Sequence, residues 1–308
     1  MNLPILTPDA TCARRSFVRT RVMFTFIGIG ILFVMTLLGY IMHGGNIAVL
    51  IQPTEFIILG GCGVGSMIAS DGMSGFMKAI KAIMGLLKPD PFTKTAFLEL
   101  LKMMYQLFTI ARKEGLLGLE KHVEMPNESE IIKKFPTFLA NHHAVDFFCD
   151  TMKVILTGAV GPHDLAEMME LDLDTAHAEA KQPMNCVQTV GDAMPGFGIV
   201  AAVLGVIITM GKIGGDAAAI GKSVAAALVG TFIGILLAYG VFGPMAKAMD
   251  FRLKNEEQYM NCIRFALFSF ARGESPITCV EFARRNIVPE VRPGFTEMET
   301  SVKEDKAA

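Results

Sequence analysis

The sequence lacks the residues that mark several common classes of protein. It has no tryptophan, and its six cysteines form no CxxC pair and have no histidine at metal-ligand spacing. The scattered cysteines favour free thiols in a reducing compartment or in lipid over a disulfide framework or a structural zinc site. The neighbours His142 and His143 do not change this, because adjacent side chains on a helix point about 100° apart. The net charge is only -2, so no basic excess indicates a nucleic-acid partner.

Long uncharged runs are what the chain has instead, and 52% of its residues are hydrophobic. A run of about 20 apolar residues is long enough to cross a membrane as a helix. The short loops between the first and second runs, and between the third and fourth, indicate two hairpins. The sequence therefore predicts an all-α integral membrane protein with four transmembrane helices, at about 22–42, 54–70, 193–211 and 223–245.

The basic residues near the ends of these spans predict the orientation. Only Lys212 and Lys222 lie in the loop between the third and fourth spans, whereas the other span ends carry many Lys and Arg side chains on one common side. Both termini are therefore predicted to be cytoplasmic. The basic residues on that side are Arg14, Arg15, Arg19, Arg21, Lys78, Lys81, Lys88, Lys181, Lys247, Arg252, Lys254 and Arg264.

Outside the two hairpins, 22–70 and 193–245, the chain divides into an N-terminal lead (1–21), a helical cytoplasmic domain (71–192) and a C-terminal segment (246–308). Apolar residues at three- and four-residue spacing predict an amphipathic helix from Pro91 to about Gly115. Three further helices are predicted, at 128–134, 141–157 and 162–181. Beyond about 286 the chain is polar, so its last twenty residues are expected to form a mobile tail after the C-terminal helices.

None of the four spans has an ionisable side chain near its middle, and Glu55 at the edge of the second is their only carboxylate. An ion-translocating protein normally needs such a group, so either this chain transports nothing or a partner helix supplies the acid. Stripes of small residues allow another helix to approach closely, either from a partner or from the same chain. They are Gly61, Gly65 and Ala69 in the second span, Gly198, Ala201, Ala202 and Gly205 in the third, and Ala226, Gly230, Gly234 and Ala238 in the fourth.

Two prolines and one hydroxyl are further candidates for function. Pro195 and Pro244 lie at the inner ends of the third and fourth spans. They either begin and end helices or form a paired hinge. Thr231 lies inside the fourth span, where its hydroxyl is expected to bond its own helix unless it lines a polar path.

Three segments resemble a known family. They are ARKEGLLGLEKHVEMPNESEI (111–131), VGDAMPGFGIVAAVLGVI (190–207) and ALVGTFIGILLAYGVFGPM (227–245). In these segments the chain closely resembles the MotA family of flagellar stator subunits, and the resemblance extends over about residues 22–297. The lead before the first span is longer than the family usually shows, and we interpret it as an extended orientation signal that could also contact membrane lipid.

The resemblance implies a complex in the bacterial cytoplasmic (inner) membrane that conducts ions and turns the flagellar motor, without enzymatic activity or a cofactor. Five copies of the chain would surround two copies of a single-span, MotB-like partner, which is anchored to peptidoglycan and supplies the missing aspartate. Arg112 and Glu120 match the positions that contact the rotor switch-complex protein, of the FliG type. Pro195 and Pro244 match the proline pair tied to torque generation, and Thr231 matches a channel-facing threonine.

Ala202 indicates the coupling ion, because sodium-driven relatives carry threonine at this position. A methyl group cannot ligate Na⁺, so H⁺ is expected instead. Two alternatives remain open on the sequence. One is an ExbB/TolQ-like energiser of an outer-membrane process, a group that usually has three spans and lacks the pattern at 112–120. The other is a membrane scaffold that conducts nothing.

Overall fold

The computed structural model describes residues 17–211, 214 and 217–304, with the side chains of 17–23 and 304 excepted. Arg14, Arg15 and Lys212, which the predicted orientation uses, lie outside the described residues. The described part is helical and contains no β-strand. In chain order its α-helices are α1 (Phe17–Met42), α2 (Ile47–Leu50), α3 (Pro53–Gly85), α4 (Lys94–Glu114), α5 (Leu117–Glu124), α6 (Pro136–Leu139), α7 (His142–Thr157), α8 (Pro162–Met210), α9 (Ala217–Leu237), α10 (Gly243–Ala271), α11 (Pro276–Asn286) and α12 (Phe295–Glu304).

Four helical stretches are long and apolar enough to cross a membrane, which confirms the four predicted spans. They are Phe24–Met42, Ile47–Gly85, Pro162–Met210 and Ala217–Ala271. Because their mean hydropathy lies between 1.7 and 2.2, their outer surfaces suit a lipid environment better than water. The all-α membrane fold predicted from the sequence is therefore correct.

Three of the helices extend well beyond the predicted spans. α3 continues to Gly85 instead of ending near residue 70, and it bends at Gly72, whose φ of +68° is readily adopted only by glycine. α8 is one 49-residue helix, although the sequence predicts a helix at 162–181 and a separate span from 193. Pro183 and Pro195 both lie inside it. Each proline removes one backbone donor, but the turns on either side keep their own hydrogen bonds and the helix continues.

The chain forms two compact units. The first takes in the chain up to Pro89 together with Ala180–Phe251, and the second takes in Asp90–Glu179 together with the chain from Arg252 onward. In the first unit, the buried cluster combines residues from α3, α8 and α10. Its members include Met67, Ala79, Leu86, Val187, Val190, Met194, Ala246 and Met249.

In the second unit the core forms around α4, which begins after the N-cap Thr93 and ends at Gly115, as the spacing of its apolar residues predicts. Phe97 and Phe108 on its inner face are fully buried. The ring of Phe108 stacks on Phe270 of α10 at a centroid distance of 4.5 Å. Aromatic pairs of this kind stabilise a core beyond the area they bury.

Two local predictions in this unit are wrong. The segment 128–134 forms only a 3₁₀ turn at Ile132–Lys134. Half of the expected mobile tail, Phe295–Glu304, is the helix α12, which packs against α4, while residues 305–308 lie outside the described residues. Met298 and Val302 of α12 are 0% and 2% exposed, and Lys94 of α4 forms a 2.6 Å ion pair with Glu297. The polar composition of this helix hides one buried apolar face.

Candidate functional site

α8 and α9 pack closely along a line of small residues, here called the α8–α9 seam: Gly198, Ala201 and Gly205 with Ala227, Gly230 and Gly234. A Cβ atom on Gly198 would lie 2.9 Å from the carbonyl oxygen of Gly230, and one on Gly234 would lie 2.7 Å from that of Met194. Both distances are too short for a side chain, so the backbones meet directly. The stripes in the third and fourth spans therefore pack within this chain.

The stripe in the second span is different. A Cβ on Gly61 or Gly65 of α3 would have open space within 4 Å among the described residues, and Ala69 is exposed. This small-residue face of α3 is not used for packing within the described part of the chain.

Thr231 bridges the two helices of the seam. Its hydroxyl Oγ1 donates to the carbonyl oxygen of Gly198 at 3.3 Å. The expected bond to its own helix is therefore wrong for Thr231, although Thr209 of α8 does bond its own helix, at Gly205. Thr231 stays partly exposed, as does Ala202, the residue next to the buried Ala201. Thr231 thus contacts the seam and Ala202 follows a seam residue, and neither of the two predicted ion-path residues is fully buried.

The two prolines are in different local structures. Pro195 is an interior residue of α8, so its interpretation as a helix start is wrong. Pro244 follows a π-helical segment, Ala238–Phe242, in which the amide of Gly243 donates to the carbonyl of Ala238, five residues back. This segment joins α9 to α10 without a break in the helix. Since proline disrupts the regular α ladder, a wider turn just before it is a physical accommodation of Pro244.

Sequence reasoning missed the position of Glu55. The residue lies in the first turn of α3, and only 6% of it is exposed. Its carboxyl group contacts the α8–α9 seam at Gly230, where a Cβ would lie 3.2 Å from Cδ of Glu55 and 2.9 Å from Cβ of Ala201. Oε2 of Glu55 is buried and has no hydrogen-bond partner among the described residues. The absence of a side chain at Gly230 makes room for the carboxyl group.

Burial without a partner is costly for an ionised Glu55. An unpaired buried charge costs several kcal/mol even after the protein relaxes around it. The helix N-terminus of α3 favours a negative charge by only about 1 kcal/mol. The cost of burial exceeds this gain, so the environment favours the neutral acid.

Arg112 and Glu120 lie in the second unit, on either side of the turn at Gly115. Both are exposed, while Leu119 beside Glu120 is fully buried and anchors α5. Arg112 in the last turn of α4 donates from Nη1 to the carbonyl oxygen of Gly273 at 3.1 Å. Glu120 lies in the first turn of α5, where a negative charge is favourable. Two opposite charges thus face solvent at the adjoining ends of α4 and α5, which are joined by a short turn.

His122 fixes the loop that follows Glu120. Its Nδ1 atom lies 2.8 Å from the hydroxyl of Ser129, which also accepts a hydrogen bond from the amide of Ile132, and both side chains are 4% exposed. Burial, with a smaller effect from Lys121, holds the pKa of His122 below its usual range, whereas Glu130 and Glu114 oppose the shift. The imidazole is therefore a neutral, structural partner of Ser129.

Comparison with known proteins identifies the family. The family model of the motility protein A N-terminal region matches residues 26–115, and that of the MotA/TolQ/ExbB proton channel family matches residues 140–262. Motility protein A of Salmonella typhimurium is 36% identical over 265 residues, covering 86% of this chain and 90% of the relative. The chain belongs to the motility protein A family.

Other members of the motility protein A family and related structures agree. Motility protein A of Escherichia coli matches with the same identity and coverage, and the chemotaxis protein LafT of Vibrio parahaemolyticus is 31% identical over 91% of this chain and 99% of its own length. The structure of C. jejuni MotAB has a TM-score of 0.70 at 21% identity, covering 87% of this chain and 98% of that chain. The flagellar MotAB stator complex from Bacillus subtilis has a TM-score of 0.66 at 19% identity, covering 86% and 94%. These two structures share the fold.

Membership of the motility protein A family makes this a multi-pass motility protein of the bacterial inner membrane. It also decides against the ExbB/TolQ-like energiser, because the match to the motility protein A N-terminal model covers the first hairpin and α4. Of the predicted site residues, Arg112 lies within that first match and Glu120 lies between the two. Four more lie within the second match: Pro195, Ala202, Thr231 and Pro244.

Proposed function

We propose that this motility protein A family member is the membrane subunit of a proton-driven flagellar stator. The observation that carries the proposal is that Ala202 and Thr231 stay partly exposed on the two helices of the α8–α9 seam, which have no acidic or basic side chain in 193–211 or 223–245. A path along such a face needs an acid from outside it. A MotB-like single-span partner, anchored to peptidoglycan, supplies that aspartate.

The coupling ion is H⁺ in this proposal. Ala202 offers a methyl group where a sodium path would need an oxygen ligand. The assembly contains five copies of this chain around two copies of the partner. Moving one charge through 100 mV releases about 2.3 kcal/mol. Because each step has so little energy, it is suited to drive small rearrangements of the helices, and we place these at Pro195 and Pro244.

Torque passes to the rotor through the exposed charges of the second unit. Arg112 and Glu120 have opposite signs and face solvent, so they complement a rotor surface that carries charges of both signs. The rotor partner is a switch-complex protein of the FliG type. Arg112 stays oriented by its hydrogen bond to Gly273, which limits the entropy lost when the rotor binds.

Complementation tests the function directly. The chain and its candidate partner are expressed in a stator-deleted strain, and swimming speed is measured against sodium concentration, external pH and a protonophore. We expect motility that is independent of sodium and abolished by the protonophore. Sodium-dependent swimming that survives the protonophore would refute the proton assignment. Failure to swim, with both chains in the membrane, would instead favour the scaffold that conducts nothing.

Charge reversal tests the rotor surface separately. Arg112→Glu and Glu120→Lys should each reduce swimming and the recruitment of fluorescently tagged stators to the motor. The double variant that combines Arg112→Glu with Glu120→Lys should recover part of the swimming when the rotor protein carries reversed charges. Lys113→Glu is the matched control, because Lys113 is the exposed basic neighbour of Arg112 in the last turn of α4. Equal behaviour of all three variants would show that these charges are ordinary surface residues.

A further inference from the structure

Glu55 is an acid inside the first unit that the proposed function does not use. It approaches the α8–α9 seam from α3, opposite Gly230, with a buried Oε2 that lacks a partner in the described part of the chain. We propose that Glu55 is a proton-binding group of the ion path, contributed by this chain in addition to the acid of the partner. The proposal rests on the proposed function, because it adds a second proton site to the same path.

Among the described residues, no side chain forms an ion pair with Glu55 that would stabilise its ionised form. α2 is IAVL, and the segments 22–42, 193–211 and 223–245 carry neither acidic nor basic side chains. The nearest charges on these two helices are distant from the residues that contact Glu55. Lys222 lies eight residues before Gly230 and Asp192 lies nine before Ala201, which is about 12 Å or more along a helix. Lys212 and Asp216 lie outside the described residues. A carboxylate in this position is stabilised more by binding a proton than by an interaction with any neighbouring side chain.

The seam provides the contact between Glu55 and the path. Gly230 stands next to Thr231 in α9, and Thr231 is the residue whose hydroxyl crosses to Gly198. Glu55 therefore contacts α9 one residue before Thr231, and Gly230 has no side chain that would cover the carboxyl group. Ala201, which also contacts this point, precedes the partly exposed Ala202.

The chemistry is one reversible proton transfer. A proton binds to the carboxylate of Glu55, forming an O–H bond and leaving the group neutral. On release that bond breaks, the proton passes to water or to the partner's acid, and the carboxylate is restored. No redox change or other reactant is involved.

Infrared spectroscopy of the stator complex in liposomes tests the proposal. The complex is prepared with the partner's intramembrane aspartate changed to asparagine, which removes that acid from the spectrum. We expect a C=O stretching band of a protonated carboxyl group at neutral pH that disappears in Glu55→Gln. Glu55→Asp is the second variant, because it keeps a carboxyl group on a shorter side chain and should shift the band in frequency. A spectrum unchanged by both variants would overturn the proposal.

Swimming separates proton binding from a structural role. Glu55→Gln keeps the shape and polarity of the side chain but cannot exchange a proton, so it should abolish swimming while Glu55→Asp retains it. Thr209→Val is the matched control: Thr209 is a 4% exposed polar residue of α8 whose hydroxyl donates to its own helix, at the carbonyl of Gly205, so swimming should persist. If Glu55→Gln swims like the wild type, Glu55 is not part of the path. If the wild type itself fails to swim, the proposed function fails, and the infrared band still decides whether Glu55 holds a proton.

Discussion

Adding one methyl group at Gly198 tests the α8–α9 seam in the first unit. In Gly198→Ala the new Cβ would lie 2.9 Å from the carbonyl oxygen of Gly230, 3.1 Å from Cα of Thr231 and 3.4 Å from Cα of Gly234. Comfortable contacts begin near 3.5 Å, so α9 must move away by about 0.6 Å. The movement also stretches the 3.3 Å hydrogen bond from Thr231 to the carbonyl of Gly198.

The size of the effect follows from three terms. Overpacking of this kind costs about 1–3 kcal/mol, and loss of a hydrogen bond between membrane helices costs about 0.6 kcal/mol. Alanine gains about 1 kcal/mol over glycine inside a helix, which offsets part of the cost. The free energy of unfolding should therefore fall by about 0.6–2.6 kcal/mol. Gly61→Ala has the same helix gain without a clash, so it should be neutral or slightly stabilising.

Equilibrium unfolding of the two variants and the wild type in mixed detergent, followed by circular dichroism, measures the difference. We expect Gly198→Ala to unfold at a lower denaturant fraction than the wild type, and Gly61→Ala at the same fraction or higher. If Gly198→Ala is as stable as Gly61→Ala, the two backbones do not meet at Gly198, and the reasoning about the seam is wrong.

Three further predictions concern the second unit. Tyr259→Phe should leave the thermal midpoint unchanged or raised, because the buried hydroxyl of Tyr259 has no partner among the described residues, and Tyr259→Ala should lower stability by about 3–5 kcal/mol. Met298→Ala should cost about 2–5 kcal/mol and make α12 accessible to protease, whereas a truly mobile tail would be cleaved equally in the wild type. Since the pKa of His122 is lower folded than unfolded, acidification favours the unfolded state: the wild type should lose stability as pH falls through about 6.5 and below. His122→Gln should show a flatter pH profile, and identical profiles would contradict the burial of the imidazole.

The features that could be predicted from the sequence are those set by local composition. Uncharged runs of sufficient length give the four spans, and the three- and four-residue spacing of apolar side chains gives α4 with its end at Gly115. Arg112 and Glu120 are exposed, as charged residues at helix ends usually are. In each case the signal is contained in a few neighbouring residues.

The features that could not be predicted depend on distant parts of the chain. Glu55 is buried because α3 meets Gly230, which lies far away in sequence. Thr231 finds its partner on α8, and α12 is ordered because α4 covers Met298. The continuity of α8 through two prolines also escapes sequence rules, since those rules treat proline as a helix end and leave out the turns that survive around it.

The π-helical segment has a consequence for how this chain can change by mutation. One extra residue in Ala238–Phe242 turns every later side chain of α10 to a different face from the one it would occupy on a regular helix. Deleting one residue of this segment would realign the buried faces of α9 and α10 and would bring the ring of the proline against the carbonyl four residues before it. If Pro244 alone were replaced, the extra residue would remain although no proline ring would then require the wider turn. We therefore expect the π-helical segment and Pro244 to be inherited together. In a double-mutant cycle, their effects on the free energy of unfolding should be strongly non-additive.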